Sequence, residues 1–413
     1  MSITPNLKVH PSELVVLGLL ALMIMQQAIW RQSRVAVWLP TWLILLVPFW
    51  LWGWRTLVSS DIRWELMFAE FKNFIILVPL YLLASTVLEE KSGWRSMLLA
   101  FYFVGTWIAA MGILEYMYPQ VKALFPGFVS DPIPRETGEG FQRAAFSFWG
   151  SADAVYICIL AVPMSTAVWE WCRRFWMRAL NLSVIPTMLG GVYISGHRNA
   201  WLMITLQFFG FLLVKKQYLL GVAVLFVFFF AYQVLPNAAR DRIYSGAELV
   251  TGQPLKYDTS GQKRWNRAST SFTNSLEEPL GRGWAAAGWV HNDFLQVAEN
   301  LGLAAGALFF GAFIFTLQRL WRRVRAASQL GELRIPGTAL LLSFTSAGII
   351  LATEAALELP QLILPIWFIW VIVEIWLRQT RFKRATINDT FSNLGTLANL
   401  QLCDDRARYS RGG

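Results

Sequence analysis

Apolar runs of roughly 15 to 20 residues recur along this chain, each close to what a helix needs to cross a hydrocarbon layer of about 30 Å. Leu14 to Ile29, Val35 to Trp54, Phe74 to Leu88, Met97 to Tyr116 and Leu219 to Leu235 are examples, separated by short polar or basic stretches. The first run lacks a small-residue cleavage site and is followed directly by another, so it reads as a retained helix. The pattern predicts an all-α, polytopic membrane protein with about 11 to 12 transmembrane helices. One segment departs from it. Ser260 to Gly306 reads SGQKRWNRASTSFTNSLEEPLGRGWAAAGWVHNDFLQVAENLGLAAG, a charged and glycine-rich island that leads into an apolar helix.

Composition agrees with the pattern. The chain has 413 residues, 55% hydrophobic and only 15% charged, well below the quarter usual for soluble domains. The net charge of +10 comes from short clusters between apolar runs. That distribution is accounted for by orientation signals for membrane insertion, and it offers no continuous basic face for nucleic acid. Many of the 21 tryptophans stand at run ends, as an interfacial aromatic belt requires. The three cysteines, Cys158, Cys172 and Cys403, form neither a disulfide framework nor a zinc spacing.

Placing the basic clusters at Arg173, Arg174 and Arg178, at Lys215 and Lys216, at Arg319 to Arg325 and at Arg378 to Arg384 in the cytoplasm makes the intervening segments alternate sides. The chain then turns outside at Ser195 to Arg198 and again near Glu354 to Pro360. Segment 118–150 and a large loop at about 236–291, containing short helices, are exterior. This tracing gives an odd number of spans with the N-terminus outside. Reading Thr56 to Lys72 as an interfacial amphipathic helix, or adding one undetected pass, are the two ways to adjust it. Residues 1–384 form one membrane-embedded domain, and 385–413 a polar, disordered cytoplasmic tail.

The same tracing gathers Arg143, Arg198, Arg264 and His291 on the exterior face. Arg198 sits between two apolar runs, where snorkelling to the interface and binding of an anion are both consistent. Arg264 shares its loop with Lys263, Arg267 and Arg282, and a solvated mixed-charge loop is the competing account. His291 is either an interfacial residue without function or a proton acceptor that titrates near neutrality. The glycines of Pro279 to Gly283 permit a turn with close backbone approach. Gly302 and Gly306 form a GxxxG spacing that favours helix packing. Glu277 and Glu278 have no histidine or further acid at metal-ligand spacing, so they read as a solvated pair. Glu115, Asp153 and Glu354 fall at run ends, which argues against a proton relay through the membrane.

From these residues the chain resembles the O-antigen ligase and polymerase superfamily of bacterial envelope glycan transferases, over roughly Phe141 to Phe310. SGHRNAWL at Ser195 to Leu202 resembles its Ser-x-x-Arg turn. SGQKRWNRASTSFTNSLEEPLGRGW at Ser260 to Trp284 resembles its arginine followed by Pro-Leu-x-Gly-x-Gly, although Gly281 follows Leu280 directly. HNDFLQVAENLGLAAG at His291 to Gly306 resembles its His-Asn with a later glycine, although Ala305 stands where glycine is common. GFQRAAFSFWGSADA carries Arg143, with Trp149 and Gly150 in place of the usual Pro-Asn pair.

The resemblance implies transfer of a glycan from undecaprenyl diphosphate to an acceptor hydroxyl on the periplasmic face of the bacterial inner membrane. A diphosphate leaves as an anion, so charge neutralisation serves it, and arginine supplies that bidentately without a metal. Arg198 and Arg264 are then the clamp and His291 the general base. Arg143, Arg267, Arg282, Asn292, Gly281 and Gly283 form the surrounding substrate-binding set. A single displacement inverts the anomeric centre. Energy comes from the donor, no P-loop or dinucleotide fingerprint occurs, and no cofactor or metal is expected. The expected partners are the lipid-linked donor, a lipid A-core or other glycan acceptor, and the bilayer. Ligation of O-antigen to lipid A-core is the leading expectation. Polymerisation of lipid-linked repeat units is its rival, and a transporter or flippase would show inverted repeats or mid-span charges that the chain lacks.

Overall fold

Residues 2–4, 7–8, 39–58, 64–87, 93–118, 120–121, 154–217, 219, 259–288, 290–326, 334–359 and 362–378 are described by a computed structural model. The runs Leu14 to Ile29 and Leu219 to Leu235, most of 118–150 with Arg143, the first part of loop 236–291 and the tail 385–413 lie outside the described residues. So does the side chain of Arg198, although its backbone is described.

Apart from one antiparallel pair of short strands, β1 (Ser2–Thr4) and β2 (Leu7–Lys8), the described architecture is helical. The helices are α1 (Thr41–Trp52), α2 (Trp64–Ile75), α3 (Leu77–Val87), α4 (Gly93–Met117), α5 (Val155–Ala161), α6 (Met164–Trp171) and α7 (Phe175–Ser195). They continue with α8 (Arg198–Lys215), α9 (Thr259–Glu277), α10 (Asp293–Leu301), α11 (Leu303–Ala326), α12 (Arg334–Thr353) and α13 (362–378). Among the described residues, Trp94–Met117, Leu303–Ala326 and Ile335–Thr353 are long and apolar enough to cross a membrane.

Burial orders these spans. Within α12, 72% of the apolar window is covered by protein, against 39% in α4 and α11, so α12 is the most enclosed of the three. The outer face of α4 exposes Phe103, Val104 and Trp107. Apolar surface on that scale suits contact with lipid rather than water. Inside, Phe313 stacks on Phe344 at 4.5 Å and Phe309 on Trp370 at 5.8 Å, joining α11, α12 and α13. Between lipid and protein interior little is gained by leaving water, so such packing and polar pairing hold the helices together.

The polar pairs sit where the backbone needs them. Pro163 separates α5 from α6 and has no N–H to offer the Ile159 carbonyl. Gln207 Nε2 of α8 donates there instead at 2.9 Å, and to Ser346 Oγ of α12 at 2.8 Å. Ser343 Oγ donates to the neighbouring Leu160 carbonyl at 2.7 Å. At the opposite end from the Glu354 turn, Glu374 of α13 accepts from Thr316 Oγ1 at 2.9 Å and from Arg319 Nη1 at 3.1 Å, so its buried charge is paired.

Two features position the site. Helix α7 ends on Gly196, whose φ of 64° is the left-handed cap, and α8 starts two residues later. Trp201 Nε1 closes this reversal by donating to the Val192 carbonyl at 3.1 Å. After α12 the chain makes a short turn, Ala356–Glu358, whose amides at Ala356 and Leu357 donate to the Asp293 carboxylate at 3.2 and 3.1 Å. Asn73 Nδ2 of α2 holds the Leu357 carbonyl at 2.8 Å. The turn thus meets the start of α10.

Candidate active site around Glu354

Glu354 follows the last residue of α12, and its side chain is only 8% exposed. Its Oε1 accepts from Tyr156 Oη at 2.7 Å, from Asn199 Nδ2 at 2.9 Å and from Arg264 Nη1 at 3.0 Å. Its Oε2 lies 3.9 Å from His291 Nδ1, an ion-pair separation longer than a hydrogen bond. One carboxylate therefore gathers α5, α8, α9, the entry to α10 and the end of α12. Arg264 Nη1 also donates to the Thr353 carbonyl at 3.2 Å. The ring of His197 meets Tyr156 edge-on, with centroids 5.6 Å apart.

A buried carboxylate is costly unless it is paired and hydrogen-bonded, and here both conditions hold. The pairing also aims Arg264. One nitrogen of its guanidinium is fixed inward, while the side chain stays 38% exposed. A fork with five donors, held at one corner, keeps the rest of its donors for an anion. His291 has φ of 50°, in the left-handed region that costs a residue with a Cβ about 1 kcal/mol or more. Histidine tolerates it better than most side chains do, and the conformation sets the ring beside Glu354.

The other residues singled out by sequence surround α10 rather than Glu354. Asn292 caps that helix, its Oδ1 accepting from Leu295 N at 3.0 Å. Gly281 and Gly283, with φ of 79° and 99°, carry the chain across the C-terminal end of α10. There Arg282 N donates to the Glu299 carbonyl at 2.8 Å, Gly283 N to the Asn300 carbonyl at 2.7 Å, and Leu303 N to the Pro279 carbonyl at 2.9 Å. A Cβ at Gly281 would run into the backbone of Asn300 to Gly302. This crossing explains why the helix breaks at Gly302, with φ of 103°: its end is taken by the glycine segment. Gly306 does pack closely, against Ala298 of α10.

Arg267 and Arg282 share a second acid. Glu299, 1% exposed, has Arg282 at 3.5 Å and Arg267 at 3.6 Å, and accepts from Asn274 Nδ2 at 2.7 Å. Arg282 also bonds Glu278 at 3.0 Å, which pairs with Arg55 at 3.7 Å. A third acid, Glu70 of α2, accepts from Ala285 N at 2.7 Å, Asn300 Nδ2 at 2.8 Å and Gln296 Nε2 at 3.0 Å. Burial pushes the Glu70 carboxyl up to about 7, against the lowering effect of the Ala285 and Gln296 hydrogen bonds. The structure thus brings Arg264 and His291 together at Glu354, sets Arg267 and Arg282 at Glu299, and uses Asn292, Gly281 and Gly283 to build α10.

The sequence pattern places Glu354 at a run end and gives no prominence to Tyr156, Asn199 or Glu299. The available signal was an acid flanked by apolar residues in ILATEAALEL, where a solvated side chain gains little. No protein-family model matches the chain, and no curated protein sequence matches it.

Proposed function

We propose that the chain is an inverting glycosyltransferase that moves a glycan from undecaprenyl diphosphate to an acceptor hydroxyl at the periplasmic face of the bacterial inner membrane. The observation that carries the proposal is the single carboxylate, Glu354, shared by Arg264 and His291. Separation of a cation and an imidazole by one acid supplies the two groups that a displacement from a diphosphate uses.

In the proposed step the acceptor oxygen attacks the anomeric carbon, and the bond from that carbon to the diphosphate oxygen breaks. The diphosphate leaves with the electron pair, its charge met by the exposed part of the Arg264 fork. Glu354 faces Nδ1 of His291 and so favours a proton there, which leaves Nε2 to take the acceptor proton. Arg198 opens α8, one residue before the Asn199 that binds Glu354, and is the candidate second arm of the clamp. Tyr156 and Asn199 are positioning residues, since they act through the carboxylate.

Within this class, ligation of O-antigen to lipid A-core is the leading assignment and polymerisation of lipid-linked repeats the second. The test is reconstitution of the purified chain with a labelled undecaprenyl-diphosphate glycan, offering lipid A-core or a second lipid-linked glycan. Label moving onto the core selects the ligase, and a ladder of repeats selects the polymerase. Turnover with neither acceptor would sink the proposal. Chelator is expected to leave the rate within about twofold, because arginine carries the charge neutralisation; strong inhibition reversed by Mg²⁺ would contradict that role.

A further inference from the structure

Helix α9 is amphipathic in an inverted sense. The side it packs against α10 is polar: Ser271 and Ser275 are fully buried, Ser271 Oγ reaches the Leu295 carbonyl at 3.5 Å, and Asn274 bonds Glu299. Its large apolar side chains point outward instead, with Trp265 70%, Phe272 51% and Leu276 56% exposed. At 100° per residue these three fall within about 40° of one another, forming a stripe along the helix. Asn266, Thr270 and Thr273, all exposed, form a separate polar stripe beside it. A helix surrounded by water would turn these stripes the other way, serines out and aromatics in.

The stripe runs on into further exposed apolar surface. Just past α9, Leu280 is 66% exposed, and its carbonyl accepts from Trp52 Nε1 at 2.9 Å. Trp52 ends the apolar helix α1, is itself exposed, and has the Arg55 guanidinium 5.5 Å over its ring. A tryptophan at the end of an apolar helix with an arginine just beyond it is the arrangement that marks the boundary between acyl chains and headgroups.

We infer that α9 lies in the outer boundary of the bilayer, with the Trp265, Phe272 and Leu276 stripe seated among lipid acyl chains and the Asn266, Thr270 and Thr273 stripe facing water. The occupant of the apolar stripe is the lipid surface itself. Three stripes on one helix then have three neighbours: lipid, water and α10. Arg264 lies on this helix, so the Arg264–Glu354 pair is held at headgroup depth. The inference concerns the seat of the helix and holds whatever reaction the site performs.

The test is spin-label depth measurement on the full chain in phosphatidylethanolamine and phosphatidylglycerol liposomes. Cys403 is replaced by serine, and the buried Cys158 and Cys172 are kept. A nitroxide is placed singly at Phe272→Cys, Leu276→Cys, Thr270→Cys and Thr273→Cys. Collisions with oxygen are expected to exceed those with a water-soluble nickel chelate at 272 and 276, and the order to reverse at 270 and 273. The ratio of the two should change at least about threefold between stripes. Preference for the chelate at all four positions, or for oxygen at all four, overturns the inference. Binding of each variant in a monodisperse detergent peak shows that the label has not unfolded the chain. Variants that unfold are replaced by labels at Trp265 and Asn266, which carry the same expectation.

Discussion

Arg264 and Glu354 lie ninety positions apart in sequence and 3.0 Å apart in space, guanidinium to carboxylate. This pair ties helix α9 to the end of α12, the most enclosed of the three long apolar helices among the described residues. Because Tyr156 and Asn199 use the same carboxylate oxygen, the charge of Glu354 is fixed in place before any substrate arrives. Preorganised charge of this kind is worth more than charge that must be arranged during the reaction.

Glu354→Gln is expected to keep the shape of the cluster and lose its charge. Transfer should fall by about 100-fold or more, in line with losses seen when one preorganised electrostatic group is removed. Glu354→Ala should do the same and also unfold earlier, because three donors lose their acceptor. Activity of either variant within threefold of the wild type, measured at equal folded protein, would remove Glu354 from the site.

His291→Asn separates the backbone role from the chemical one. Asparagine accepts the left-handed conformation that His291 adopts, so stability should change by less than about 1 kcal/mol. Loss of the proposed general base should still cut the transfer rate by about 100-fold or more. His291→Ala should lose the rate and some stability as well. A His291→Asn enzyme with near-normal rate would assign His291 to scaffolding.

Glu70 gives the fold a pH dependence with a defined sign. Its carboxyl is raised from 4.5 to about 7 by burial, so the folded state binds the proton more tightly than the unfolded chain does. The contribution is fully present below about pH 4.5 and is lost as pH rises through about 7, on the order of 3 kcal/mol in all. The resistance of the wild type to denaturation in detergent should therefore fall over that window relative to Glu70→Gln. Parallel profiles for the two proteins would contradict it.

Gly281→Ala probes the clamp at the end of α10. The new Cβ meets backbone of Asn300 to Gly302 while φ is 79°, so both collision and strain oppose it. A loss of about 2 to 4 kcal/mol is expected, larger than a surface substitution gives. A thermal midpoint unchanged within about 1 °C would mean that the crossing at Gly302 is looser than described.

Parts of this arrangement were legible in the sequence. The SGHRNAWL reversal was readable because a glycine between two apolar runs is local information, and Gly196 caps α7 as such a residue should. Arg264 and His291 came from motif resemblance, and they do converge. Glu354 did not, because its importance comes from five segments meeting, which no local pattern encodes. The break at Gly302 was hidden for the same reason: the residues that interrupt the helix, Pro279 to Gly283, stand about twenty positions earlier. The polar inner face of α9 reads from sequence as an ordinary solvated loop until the apolar stripe is seen to point away from the protein.

The most direct test of the account measures the leaving group. Purified wild-type protein, given a labelled undecaprenyl-diphosphate glycan and an acceptor, is predicted to release one undecaprenyl diphosphate per glycan transferred, and Arg264→Ala to slow release by about 100-fold or more at unchanged folding. Release by Arg264→Ala at the wild-type rate, or transfer by the wild type without release of undecaprenyl diphosphate, would contradict it.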